Sequence, residues 1–114
     1  MPEDEEKKVR IRLPNKENGE MLGLVLRRLG GLWLEVKCSD DKIRKARIPG
    51  SRRRIRVYGG DVVIVKPWYG LQPETRADVI WKYRKHRVRH LLDTQYEQAI
   101  RELIPEDMHS KYLS

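Results

Sequence analysis

The sequence predicts a mainly β domain, a small five-stranded Greek-key barrel with a C-terminal α-helix and a flexible N-terminal arm. Three observations carry the prediction. Short apolar runs with the alternation of strands recur between glycine-rich corners from Glu20 to Arg84. A stretch of turn-forming and basic residues separates the third run from the fourth. One segment with helical spacing follows the last run and ends at a proline.

Residues 1–19 are polar and hold Pro14, Asn15, Asn18 and Gly19, which predicts the arm. Within it Val9, Ile11 and Leu13 alternate with Arg10 and Arg12, so part of it can extend along a partner. The barrel is expected over 20–84. Its first strand, Met21 to Leu29, contains Gly23, which suits a bend or bulge, and Gly30-Gly31 turns the chain. In the second, Leu32, Leu34, Val36 and Cys38 alternate with Trp33, Glu35 and Lys37, which puts the first set inside. Cys38 has no histidine near it in sequence to activate it and reads as a structural thiol. Ser39-Asp40-Asp41 turns into a third strand, Lys42 to Ile48. There Ile43 is out of phase with Ala46 and Ile48, which predicts a bulge near Arg44-Lys45. In the fourth, Asp61 to Trp68, the run Val62 to Val65 reads as buried on both faces. The fifth runs from Ala77 to Arg84.

Val88, Leu91, Leu92, Tyr96, Ala99, Ile100 and Leu103 define one helix over 85–104, packed on the barrel and stopped by Pro105. Residues 106–114 read as frayed, and the flexible tail is set at 105–114. Five short strands, glycine corners and the central break together indicate the OB type of barrel. Such barrels present a strand face and loops to single-stranded or irregular nucleic acid.

At 114 residues the chain has room for one domain with tails, and its net charge of +8 favours nucleic acid over an acidic small molecule. The excess is concentrated. Eight cations (Lys42, Arg44, Lys45, Arg47, Arg52, Arg53, Arg54 and Arg56) fall between 42 and 56 with no carboxylate among them. A second group is Lys82, Arg84, Lys85, Arg87 and Arg89, whereas residues 1–20 nearly cancel, with six acids against five bases. A single charge run is ordinarily a solvated face. Two in one small domain carry repulsion that a polyanion offsets. Cys38 is the only cysteine, so no internal disulfide forms and a cytoplasmic location is expected. No apolar run reaches membrane-spanning length, so no membrane partner is expected.

Gly50 lets a backbone approach closely, and Arg52, Arg53 and Arg54 can fan towards separate phosphates in bidentate geometry. Arg44, Lys45 and Arg47 lead into that turn and Arg56 leaves it, while Lys66, Lys82 and Arg84 extend the same face. Arg84 and Lys85, with Arg87 and Arg89, crowd a helix N-terminus where the macrodipole disfavours cations. A phosphate backbone explains that choice. Trp33, Trp68, Tyr69, Trp81 and Tyr83 lie on or beside strands, where a stacked base is worth roughly 1–3 kcal/mol. Trp81 shares a strand face with Val79 and reads as core, Trp33 reads as more exposed, and Tyr83 fits either role. His86 and His90 share a helix face without a third ligand fixed by spacing, the carboxylates are scattered, and no phosphate loop occurs. No catalytic residue, metal or cofactor is expected. The chain reads as a binding protein and not an enzyme.

Several motifs in order then point to a family. Ala46-Arg47-Ile48-Pro49-Gly50 is followed by basic residues and Ile55-Arg56-Val57, then by Gly60-Asp61-Val62-Val63-Ile64-Val65-Lys66-Pro67-Trp68 and Ala77-Asp78-Val79-Ile80-Trp81-Lys82-Tyr83. With Val9 to Pro14 and Gly19-Glu20, this pattern over about residues 9 to 92 resembles the archaeal branch of translation initiation factor 1A. The resemblance implies an OB-fold factor that binds small-subunit rRNA at the decoding, or aminoacyl, site. There it would block premature tRNA entry and promote initiator tRNA placement with other initiation factors, as a monomer. Carried over by motif, RNA contacts fall on Arg47, Gly50, Arg52, Arg53, Arg54, Lys66, Trp68, Lys82 and Tyr83. The chain departs from the family where Arg56 replaces a frequent aromatic, where the Tyr69 to Arg76 loop is longer, and where the helix runs on to Ile104. The arm begins acidic where the eukaryotic one is basic, and the long acidic eukaryotic tail has no counterpart, so tail-dependent scanning roles are not carried over.

Two other readings compete. A generic single-stranded nucleic-acid binder of cold-shock type would show dense surface aromatics, and 42–56 contains none. A structural ribosomal protein is not favoured by an acidic arm. Arginine-led binding of structured RNA fits the residues best.

Overall fold

The structure is a computed structural model and describes residues 11–52, 55–70 and 72–114, the Arg52 side chain excepted. Strands β1 (Met21–Gly30), β2 (Trp33–Cys38), β3 (Ile43–Arg47), β4 (Val62–Pro67) and β5 (Arg76–Lys82) close into a barrel in the order β1-β2-β3-β5-β4. All pairings are antiparallel except β3 with β5, where Lys45, Ala46 and Arg47 run alongside Arg76, Ala77 and Asp78. This is the OB fold.

Alternation fills the barrel with Leu34, Val36, Cys38, Ala46, Val63, Val65, Ala77 and Val79. Burial raises the Cys38 thiol above its ordinary pKa, as a structural role requires. Val62 to Val65 is buried throughout because β4 has two covered faces: Val63 and Val65 point inward, while Val62 and Ile64 lie under the C-terminal helices. Gly23 sits in a regular ladder between Cys38 and Val63. Its role is close approach, since a Cβ there would lie 2.6 Å from Val36 Cγ1. The irregularities of β1 fall instead between Val25 and Arg27 and between Arg28 and Gly30.

The bulge expected at Arg44-Lys45 is absent. The β2–β3 ladder runs unbroken from Trp33↔Arg47 to Lys37↔Ile43. Ile43 faces out and Arg44 faces in, only 4% exposed. Arg44 tolerates this because Nη1 and Nη2 donate to the two Asp40 carboxylate oxygens at 3.0 and 2.8 Å, and Nε donates to the Pro73 carbonyl at 2.7 Å. Leu32, read as core, is exposed in the β1–β2 turn.

The single helix expected over 85–104 is divided. Lys85–Asp93 winds as 3-10 turns and α1 spans Glu97–Leu103. Thr94 separates them: its Oγ1 donates to the Leu91 carbonyl at 2.6 Å and accepts the Tyr96 N–H at 3.0 Å. The predicted apolar stripe still faces the barrel, with Val88, Leu91, Tyr96, Ile100 and Leu103 covering the outer side of β1 and β4. After Pro105, read as the start of a flexible tail, the chain instead folds back through a 3-10 turn, Glu106–Met108, and a short α2, His109–Tyr112. Tyr112 is buried in the same cluster, and burial is what makes an otherwise polar tail stay down.

Of the segment read as a flexible arm, residues 1–10 lie outside the described residues, and 11–19 are largely exposed but latched to the rest of the fold. Tyr83 Oη donates to the Arg12 carbonyl, Tyr96 Oη donates to the Pro14 carbonyl at 3.1 Å, and Pro14 is buried. Asn15 caps the Lys16–Asn18 turn and donates its N–H to Glu20 at 3.0 Å. Burial alone would raise the Glu20 pKa. The hydrogen bonds from Asn15 and Asn18 and the charges of Arg12 and Lys66 outweigh it and hold the carboxyl below its ordinary value.

Candidate nucleic-acid interface

The helices cover β1, β4 and the end of β5 around Ile80, which leaves the outer wall of β2, β3 and the first part of β5 open. Strand register builds a row across it. Trp33 opposes Arg47, Arg47 lies beside Asp78, and Asp78 opposes Lys66. A neighbouring row is Arg27, Glu35, Lys45 and Arg76. The outward set of each strand therefore falls together, with cations in excess over Glu35 and Asp78.

Trp68, just past β4, leans on Trp33 with ring centroids 6.2 Å apart and planes tilted by 51°. The Arg47 guanidinium lies 5.5 Å from the Trp68 centroid, and that of Arg76 lies 5.1 Å from Trp33. Asp78 ties the group down: Oδ1 accepts Trp68 Nε1–H at 3.1 Å and sits 3.5 Å from Arg47 Nε. Two half-exposed indoles and two guanidinium planes thus form one preorganised platform. Beside it a groove of about 400 Å³ is lined by Arg47, Lys66, Pro67, Trp68, Tyr69 and Asp78. Tyr69 is 98% exposed at its rim. Lys66 Nζ donates to Asn18 Oδ1 at 3.1 Å, which holds its charge near the groove.

Lys45, Arg47 and Gly50 are exposed on or beside this wall, Lys66 and Trp68 border it, and Arg56 is exposed beside Trp81, Lys82 and Arg84. Arg53 and Arg54 lie outside the described residues, as does the Arg52 side chain. Arg44 is the clearest correction, since its guanidinium is consumed by Asp40 and Pro73 inside the fold. Tyr83 is also unavailable for stacking, because it is buried under the helices and spends its hydroxyl on Arg12. Lys82 donates to the Arg56 carbonyl at 2.6 Å and pairs with Asp61 at 3.3 Å. Arg84 and Lys85 are exposed at the start of the 3-10 segment, where Lys85 Nζ reaches over the Tyr112 ring. Trp81, read as core, is 39% exposed with Arg12 stacked 5.0 Å from its centroid.

Arg76 and Asp78 belong to the platform although the sequence does not single them out as site residues, and Trp33, expected as an exposed stacking candidate, joins them there. Their signal was present in the alternation of β2 and β5, but only pairing across β3 shows that they meet.

The sequence profile described as translation initiation factor 1A / IF-1 matches residues 8–107. The chain belongs to the translation initiation factor 1A family. Translation initiation factor 1A of Methanopyrus kandleri is 44% identical over 108 residues, covering 90% of this chain and 94% of that protein. Its counterpart in Thermoplasma volcanium is 47% identical over 90 residues, 78% of this chain and 72% of that one. The factor of Thermococcus kodakarensis is 40% identical over 85 residues, 74% and 72% of the two chains. Membership of the factor 1A family gives the protein a role in translation initiation. No described helix is long and apolar enough to cross a membrane.

Proposed function

We propose that this initiation factor binds the small ribosomal subunit at the decoding, or aminoacyl, site through rRNA contacts, and there promotes placement of initiator tRNA together with other initiation factors. It acts as a monomer in the cytoplasm, by binding and without catalysis. The observation that carries this reading is the Trp33–Arg47–Asp78–Lys66 row, with Trp68, on the barrel wall that the helices leave open. Lys45, Arg47, Gly50, Arg52, Arg53, Arg54, Arg56, Lys66 and Trp68 supply the contacts, with Lys82, Arg84 and Lys85 at the margin. Arginine predominates because its planar fork suits phosphates held in a fixed, structured RNA. Trp33 and Trp68 add a stacking surface for a base that the RNA presents unpaired.

The test is equilibrium binding of labelled protein to purified archaeal small ribosomal subunits at near-physiological salt, with excess unstructured RNA as competitor. Saturable one-to-one binding that survives the competitor supports the reading. Binding that drains into the competitor would instead support a generic single-stranded nucleic-acid protein of cold-shock type.

A further inference from the structure

A cationic groove lies where the described chain begins. Arg12, Trp81, Lys82, Arg84, His86 and Arg87 line a space of about 380 Å³, and Ile11 forms part of its wall. A second groove of about 380 Å³ shares Trp81, Lys82 and Arg84 with it and adds Arg56. No carboxylate lines either one among the described residues, although Lys82 is paired nearby with Asp61. The chain leading into Ile11 carries four consecutive acids, Glu3-Asp4-Glu5-Glu6, in a protein of net charge +8. At roughly 3.3–3.6 Å per extended residue, Glu6 reaches about 17 Å from Ile11 and Glu3 about 28 Å. The Tyr83 and Tyr96 hydrogen bonds to the carbonyls of Arg12 and Pro14 fix the anchor of that tether beside the groove.

We propose that the acidic segment Glu3–Glu6 docks in the Arg12–Trp81–Arg84 groove of its own chain and competes there with RNA phosphates. The tether makes the contact intramolecular, so weak charge pairing suffices to populate it. RNA that reaches the margin of the binding wall must displace the segment, which penalises loosely held polyanions more than a subunit site engaging the whole wall. The contact stands independently of the RNA reading; the competition rests on it.

The test uses the full chain and its E3Q/D4N/E5Q/E6Q variant. Without RNA, the indole N–H resonances of Trp33, Trp68 and Trp81 are compared by NMR, with Trp81 assigned through Trp81→Phe. A change at Trp81 well above those at Trp33 and Trp68, abolished near 1 M salt, is expected. Equal or absent changes would overturn the contact. Binding of a short unstructured RNA is then measured for both proteins, and again with Arg84→Gln added. Freed of a segment that occupies the groove most of the time, the variant gains about five- to tenfold, and Arg84→Gln reduces that gain. A gain that Arg84→Gln leaves unchanged would be a net-charge effect and would overturn the competition. If neither protein binds any RNA, the RNA reading and the competition fall together, while the Trp81 comparison still decides the contact.

Discussion

Asp40 and Arg44 meet through two hydrogen bonds of 2.8 and 3.0 Å at the β2–β3 hairpin, with the guanidinium buried and the carboxylate partly open to solvent. Removing the acid strands a buried cation, whereas removing the cation leaves an anion that water can still reach. Asp40→Ala is therefore expected to cost about 3 kcal/mol and Arg44→Met about 1 kcal/mol, read from urea denaturation. Arg44→Met should leave RNA affinity nearly unchanged. A large affinity loss in a stably folded Arg44→Met protein would return Arg44 to the binding surface.

The same pair sets an acid limit. Burial acts to raise the Asp40 pKa, but the Arg44 hydrogen bonds and charge and the Lys42 N–H outweigh it and hold it below its ordinary value. A carboxyl with a lower pKa folded than unfolded gives stability that is complete above the unfolded value, near pH 4, and lost as pH falls through the folded one. Glu20 acts with the same sign. Melting temperature should fall below about pH 4, and Asp40→Asn, less stable at neutral pH, should show a shallower fall.

On the open wall, Trp33→Ala and Trp68→Ala are each expected to weaken RNA binding by roughly 1–3 kcal/mol. The double variant should lose less than the sum, because each ring supports the other. Strict additivity in a double-mutant cycle would show that the two indoles act separately.

Replacing Arg52, Arg53 and Arg54 together by Ala should weaken subunit binding and lower the slope of log K against log salt by roughly 2–3 units. An unchanged slope would remove that turn from the phosphate-contacting set.

Deleting residues 1–8 should lower the melting temperature only by the few degrees that docking of Glu3–Glu6 contributes, whereas deleting 1–14 should lower it further, since Pro14 is buried and the Arg12 and Pro14 carbonyls accept from Tyr83 and Tyr96. Tyr96→Phe should cost about 1 kcal/mol and speed proteolysis near residue 14. Equal melting temperatures for the two deletions would show that these latches contribute nothing.

Much of the barrel was legible in the sequence because its signals are local. Alternation in β2 puts Leu34, Val36 and Cys38 inside, and the unbroken apolar run Val62 to Val65 announces a strand covered on both faces. The motifs around Arg47, Gly50, Lys66 and Trp68 likewise carried the family, and Arg47, Lys66 and Trp68 fall together at the wall. The helical stripe was read correctly as a buried face, though not where Thr94 interrupts it.

What only the tertiary structure decided depends on partners far away in sequence. The phase of Trp81 with Val79 along the strand puts it in the core. The β4–β5 register slips, so that Val65 faces Val79 while Ile64 faces Trp81, and the extra residue on β5 reverses the phase beyond it. Trp81 is thereby delivered to solvent, and Tyr83 beyond it lies under the helices. Arg44 turns inward because Asp40 and, from the loop leading into the neighbouring β5, Pro73 offer its guanidinium acceptors. The Trp33–Trp68–Arg47–Asp78 platform exists only because the closed barrel brings four segments side by side. Periodicity records which way a side chain points along its own strand; which charges and rings meet is set by pairing between strands, and that is a property of the closed sheet.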